Sequence, residues 1–91
     1  MAEQKPQAAE ERIGTITHFF SKISVGIIEL SAPLRVGETI HITGHTTDFV
    51  QVVTSMQVEH DQVQEGKPGD QVGIKVDAHA REGDQVYRAK A

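Results

Sequence analysis

The chain has 91 residues, no cysteine, 37% hydrophobic residues, and nine basic against thirteen acidic side chains, for a net charge of −4 at pH 7. That length holds one small domain, and the lack of cysteine excludes a disulfide framework and a cysteine-ligated zinc site. The acidic balance excludes the broad electrostatic grip on phosphates that general nucleic-acid binding draws upon, so DNA is not an expected partner.

In chain order, residues 1–11, MAEQKPQAAEE, are polar, carry Pro6 and show little apolar periodicity, which predicts a flexible tail. This start lacks the basic and apolar blocks of a secretory leader, and no apolar run approaches the ~20 residues of a membrane span. The expectation is a cytoplasmic protein with no membrane partner. A single domain is expected over 12–91. From Arg12 the texture becomes rich in β-branched residues with regular turn signals. RIGTITHFF (12–20) reads as a first strand and ISVGIIEL (23–30) as a second, with Gly26 suggesting a bulge or a close backbone approach. In the adjacent Phe19 and Phe20, one ring must face outward. SAPLRVG (31–37) reads as an irregular connection, because Pro33 has no amide hydrogen for a central ladder.

ETIHITG (38–44) is a third strand, with Ile40 and Ile42 on one face and His41 on the other. After a polar loop, HTTD, comes the clearest alternation of all, FVQVVTSMQVEH (49–60), read as one strand. Its pattern places Val50, Val52, Thr54, Met56 and Val58 toward the core, and Gln51, Ser55, Gln57 and Glu59 toward water, with Val53 an outward exception. DQVQEGKPGD is a loop, QVGIKV (71–76) a fifth strand with Val72, Ile74 and Val76 inward, and QVYRAK (85–90) a sixth. No helical apolar stripe follows the tail. The expected fold is therefore all-β, a small closed six-stranded β-barrel, since closure removes exposed sheet edges from a small core.

One phrase occurs three times: VGETI from Val36, PGDQV from Pro68 and EGDQV from Glu82. None opens a helix or completes a phosphate-loop pattern, and the acids lack the convergent spacing of a calcium loop. They read as strand entrances, in which Gly37, Gly69 and Gly83 supply a permissive backbone angle, the acids stay in water, and Ile40, Val72 and Val86 enter the core.

Nothing nominates a catalytic centre. His41 and His45 have a spacing that suits ligands on a helix, not across a strand end and a loop, and the other three histidines lie in separate elements. Ser55 lacks a nucleophile elbow. The expectation is no catalytic residue, no metal and no cofactor. Among the aromatics, Phe49 is expected at the core or its rim. The loop GHTTDF, bracketed by His45 and Phe49, is the expected partner-binding edge.

The order LRVGETIHITG, VVTSMQV, EGKPGDQVGIKV, EGDQVY resembles the second, β-barrel domain of translational GTPases such as elongation factor Tu. The likeness rests on Leu34 to Glu38, on Val53 to Met56, on Gly69 to Gly73 and on Gly83 to Val86, and it covers roughly residues 12–90. Ala32 and Pro33 depart from the pattern, as does Gly66. HFFSK and HTTDFVQ look closer to stand-alone elongation-factor-like proteins and to the C-terminal barrel of collagenase-like peptidases. There is no nucleotide-binding motif, so no GTP binding by this chain is expected. The resemblance implies a translation-related, non-enzymatic module that contacts RNA, such as tRNA or the ribosome, or a ribosome-associated protein. The other reading is an accessory substrate-recognition barrel acting with a collagenase-like peptidase or an RNA-modifying enzyme.

Overall fold

In the longer strands β-branched residues recur at alternate positions, and in most of them that alternation turns one row of side chains into a shared interior. The computed structural model describes residues 10–89, which form β1 (Glu10–Phe20), β2 (Val25–Leu30), β3 (Leu34–Arg35), β4 (Thr39–Thr43), β5 (Asp48–Val52), β6 (Met56–Val58), β7 (Asp61–Gln62), β8 (Glu65–Gly66), β9 (Gln71–Lys75) and β10 (Gln85–Ala89). No helix occurs among the described residues, hence none long and apolar enough to cross a membrane. Most of the expected tail, residues 1–9, lies outside the described residues, while Glu10 and Glu11 already belong to β1 and pair with Ala89 and Arg88.

Eight strands form one antiparallel sheet in the order β5-β4-β10-β1-β2-β9-β6-β7, and β3 pairs with β8 in a separate ribbon. The closed six-stranded barrel is therefore corrected. The ladder is open, with β5 and β7 at its two ends. The sheet nevertheless coils on itself, because Ile40 and Ile42 near one end share a core with Met56 and Ile74 near the other. Ile13, Ile16, Ile28, Leu34, Val72 and Val86 complete the set of large, fully buried side chains, together with Val53. The ribbon lies close on this core. A methyl group on Gly66 would come within 2.7 Å of the Leu30 side chain and 2.8 Å of the Val72 side chain, so any larger residue there forces the core side chains to shift.

The segment 49–60 departs most from expectation. It is two strands, β5 and β6, separated by a corner at 53–55 that carries the chain from one end of the sheet to the other. The corner changes the phase of the alternation. Val50 and Val52 are 57% and 48% exposed, whereas Val53 is 1% exposed and Gln51 is buried. Val53 also carries the ladder past the end of β5, donating its N–H to Glu38 C=O (2.9 Å) and accepting from Gly37 N–H (2.8 Å).

Gln51, on the open-edge strand β5, reaches across to the end of β9. Its Nε2 donates to Lys75 C=O at 2.8 Å, and its Oε1 accepts from Asp77 N–H at 2.7 Å. One amide thus satisfies a donor and an acceptor at the end of β9. Gln51→Leu keeps the volume but leaves both backbone groups without that partner, and should destabilise the domain by about 1–3 kcal/mol. The denaturant midpoint measures the loss, and faster hydrogen exchange at the Asp77 amide locates it.

The three glycine-acid phrases are strand entrances, as expected, and Gly37, Gly69 and Gly83 have φ of 100°, 94° and 93°. The acids do more than stay in water. In each turn the N–H of Glu38, Asp70 or Asp84 donates to the carbonyl of Arg35, Lys67 or Arg81, at 3.2, 2.9 and 3.1 Å. The carboxylate of the same acid then accepts from the N–H of that same basic residue, at 2.8, 2.9 and 2.8 Å. A positive φ at the third position defines a type II turn, and Pro68 stands where that turn favours proline. The repeated unit is therefore basic residue, any residue, glycine, acid. Its two reciprocal bonds clamp each turn shut, and in the third turn the acid, Asp84, is buried.

The other elements follow their patterns. Ile40 and Ile42 face inward with His41 on the opposite face; Val72, Ile74 and Val76 are buried, as is Val86. Phe19 packs against the core and Phe20 faces out. The irregularity expected near Gly26 falls on the neighbouring strand, in register shifts of β1 between Arg12 and Gly14 and between Ile16 and His18. Within the connection 31–37, Leu34 and Arg35 pair with Gly66 and Glu65. Arg88 holds that connection to β10 through Pro33 C=O, at 2.7 and 3.1 Å, and an ion pair with Glu38 at 3.4 Å.

Candidate functional site

Antiparallel pairing puts residues directly opposite one another on the same face, so the register composes the outer surface of the sheet row by row. Across β2 and β9, Ile27 stands opposite Gly73 and Val25 opposite Lys75. On β6, Gln57 is the other neighbour of Gly73, and on β1, Phe20 is opposite Val25. The row running through Gln57, Gly73 and Ile27 thus lacks a side chain at its centre.

That gap is the floor of a groove of about 320 Å³. Phe20, Ile23, Val25 and Ile27 form its apolar side, and Gln57, Gln71, Glu59 and His60 its polar side. The volume lies at the lower end of the range of about 300–1,000 Å³ for small-molecule and cofactor pockets. Two hairpin turns build the rim. In the first, Phe20 is 49% and Ile23 59% exposed, two large apolar side chains that the core does not use. The second is the two-residue connection Glu59–His60 between β6 and β7, closed by the pair Val58 and Asp61.

Backbone strain is concentrated on this rim. Among the described residues, Ser24, Glu59 and His60 are the non-glycine residues with positive φ, at 56°, 51° and 71°. Glu59 and His60 line the groove and Ser24 joins two residues that do. Two successive positive angles form a type I′ hairpin turn, which ordinarily takes Asn-Gly. Each such residue costs of order 1–2 kcal/mol, and strain of this kind gathers at functional surfaces.

The expected partner-binding loop is differently built. Gly44 N–H donates to Thr47 C=O at 2.7 Å, closing the loop, and Thr47 is buried. Asp48 Oδ1 lies 2.6 Å from His41 Nε2, and Phe49 packs against the core opposite Ile42. His45 and Thr46 are exposed at its tip. The other histidines are dispersed. His18 Nδ1 is 3.4 Å from Glu82, and His79 meets the Phe19 ring edge-on at 4.7 Å between centroids. Among the described residues no three metal-ligating side chains converge.

Chemically the groove is equipped to bind: apolar walls to desolvate a ligand, two side-chain amides that each donate and accept, and one carboxylate. Sequence reasoning passed over it although two signals were present. Gly73 sits mid-strand without a turn signal, and Ile23 is a large apolar residue beside a hairpin turn.

No family model matches the chain. It is 47% identical over 79 residues, 86% of its length, to an uncharacterized protease of Methanocaldococcus jannaschii, and it spans 19% of that protein. Two crystal structures of the C-terminal domain of a Geobacillus thermoleovorans protein described as a U32 peptidase have the same fold, each with a TM-score of 0.82. The selenomethionine variant is 16% identical, matching 86% of this chain and 99% of that domain; the other is 17% identical, matching 89% and 93%. These matches overturn the resemblance to the elongation-factor barrel and the translation-related role drawn from it. The shared glycine-acid turns are a generic way to enter a strand, and they do not distinguish the two groups. The likeness that stands is to the C-terminal domain of peptidases.

Proposed function

We propose that this chain is an accessory recognition domain that acts with a peptidase-like enzyme and has no catalytic centre of its own. The observation carrying this reading is that nearly the whole chain matches, at 47% identity, a segment making up 19% of a protease. The fold supports it, being that of a peptidase's C-terminal domain. So does the groove of β2, β9 and β6, whose side chains suit binding rather than bond cleavage. In this reading the enzyme supplies the chemistry and the domain holds the substrate.

Affinity capture of the tagged chain from native lysate should recover an enzyme with sequence similarity to peptidases. Adding the chain back to that enzyme should lower KM for its substrate and leave kcat unchanged, because the domain contributes binding that is equal in ground and transition states. Capture without a peptidase-like enzyme would overturn the proposal, as would a captured enzyme whose KM does not respond.

A further inference from the structure

Gly73 occupies the middle of β9 without a backbone reason. Its φ is not in the left-handed region, and an added Cβ would sit 3.4 Å from Ile27 and 3.5 Å from Val25, which is ordinary contact. Glycine weakens a strand interior, and where neither a bulge nor a bend explains it, the remaining reason is the close approach of another chain or ligand. Here the approach is from outside, onto the groove floor.

The walls define what approaches. Phe20, Ile23, Val25 and Ile27 surround the floor with apolar surface, while Gln57 and Gln71 bring amides that match the donor and acceptor of a peptide group. Glu59 is the charged residue of the lining, with His60 beside it, on a chain of net charge −4. A carboxylate there repels phosphate and attracts a cation. We infer that the groove binds an extended peptide segment by seating one bulky apolar side chain over Gly73, with a basic residue two positions along, on the same face of the segment, facing Glu59. This rests on the recognition role proposed above and names its ligand class. The strained Glu59–His60 turn holds the carboxylate at the rim, and Ile23 closes over the apolar anchor.

The test is an NMR titration of the full chain with a blocked octapeptide of glycine and serine carrying a central leucine–glycine–lysine triplet. Shift changes are expected at the amides of Ile27, Gln57, His60 and Gly73, and affinity should fall about tenfold or more, at least 1.4 kcal/mol, when the leucine is replaced by serine. Gly73→Val fills the floor and should weaken binding by the same order. Ile23→Ser, at a site the core does not use, should do so with the fold intact, and it decides the question if Gly73→Val fails to fold. His45→Ala should leave binding unchanged. Absence of shifts at those amides at millimolar peptide would overturn the inference, as would equal binding of the serine peptide. Salt-sensitive binding of single-stranded oligouridylate at the same amides would also overturn it, in favour of RNA. Capture of a peptidase-like enzyme is independent of these outcomes, so the recognition role can stand when the ligand class falls.

Discussion

Val53→Asp unfolds the domain, whereas Val52→Asp leaves its stability within about 0.5 kcal/mol of the parent. The two residues are neighbours of the same type, and strand alternation read from the sequence assigns them the opposite fates. Val53 is 1% exposed within the core cluster, at the start of the corner that joins the two ends of the sheet. A carboxylate there is buried with no cation within the core cluster to pair it. That mechanism yields losses above about 4 kcal/mol, against a total of about 5–15 kcal/mol for a domain. Val52 is 48% exposed on an edge strand, where a charge is well solvated. Circular dichroism and thermal melting of the two variants check the contrast. Equal losses would show that β5 and β6 keep one phase and that the corner is misplaced.

The second large effect belongs to the clamp of the third turn. Asp84→Ala removes a buried carboxylate that accepts from Arg81 N–H at 2.8 Å, and should cost about 1.5–3 kcal/mol, as expected for a bond to a charged group. Asp70→Ala, at the half-buried counterpart of the second turn, should cost less, because water replaces the lost acceptor. Gly44 tests the same carboxylate from its other side: a Cβ on Gly44 would fall on the Asp84 side chain. Gly44→Ala should therefore destabilise by about 1–3 kcal/mol through overpacking. In the Asp84→Ala background that loss should shrink, with a coupling of about 0.5–3 kcal/mol. Urea denaturation of the four species measures the cycle. Strict additivity would mean that Gly44 and Asp84 do not meet.

Legibility in the sequence followed the range of the interaction. The inward rows of β4, β9 and β10 were readable because period-two alternation is a local property of an extended chain. The turn glycines were readable for a related reason, since φ near +95° suits glycine regardless of surroundings. The clamp's reciprocal bonds were not legible, although the basic residue lies only three positions before its acid, because it is the backbone of that residue that bonds and its side chain carries no sign of this. The corner at 53–55 was illegible in a run as regular as VQVVTSMQV: apolar residues on an outer face look the same as apolar residues on an inner one. The groove was hidden for a similar reason. Phe20, Val25 and Gly73 are distant in sequence, and only strand register sets them side by side.

The sequence by itself determined an all-β chain, most of its strands and the position of every glycine-acid turn, because these depend on side-chain branching and backbone angles within a few residues. Only the tertiary structure decided that the ladder stays open, that Gln51 ties β5 to the end of β9, and that an apolar groove faces outward across β2, β9 and β6. Those features arise where segments meet after the sheet coils. They depend on which ends approach each other, and no local pattern along the chain encodes that distance.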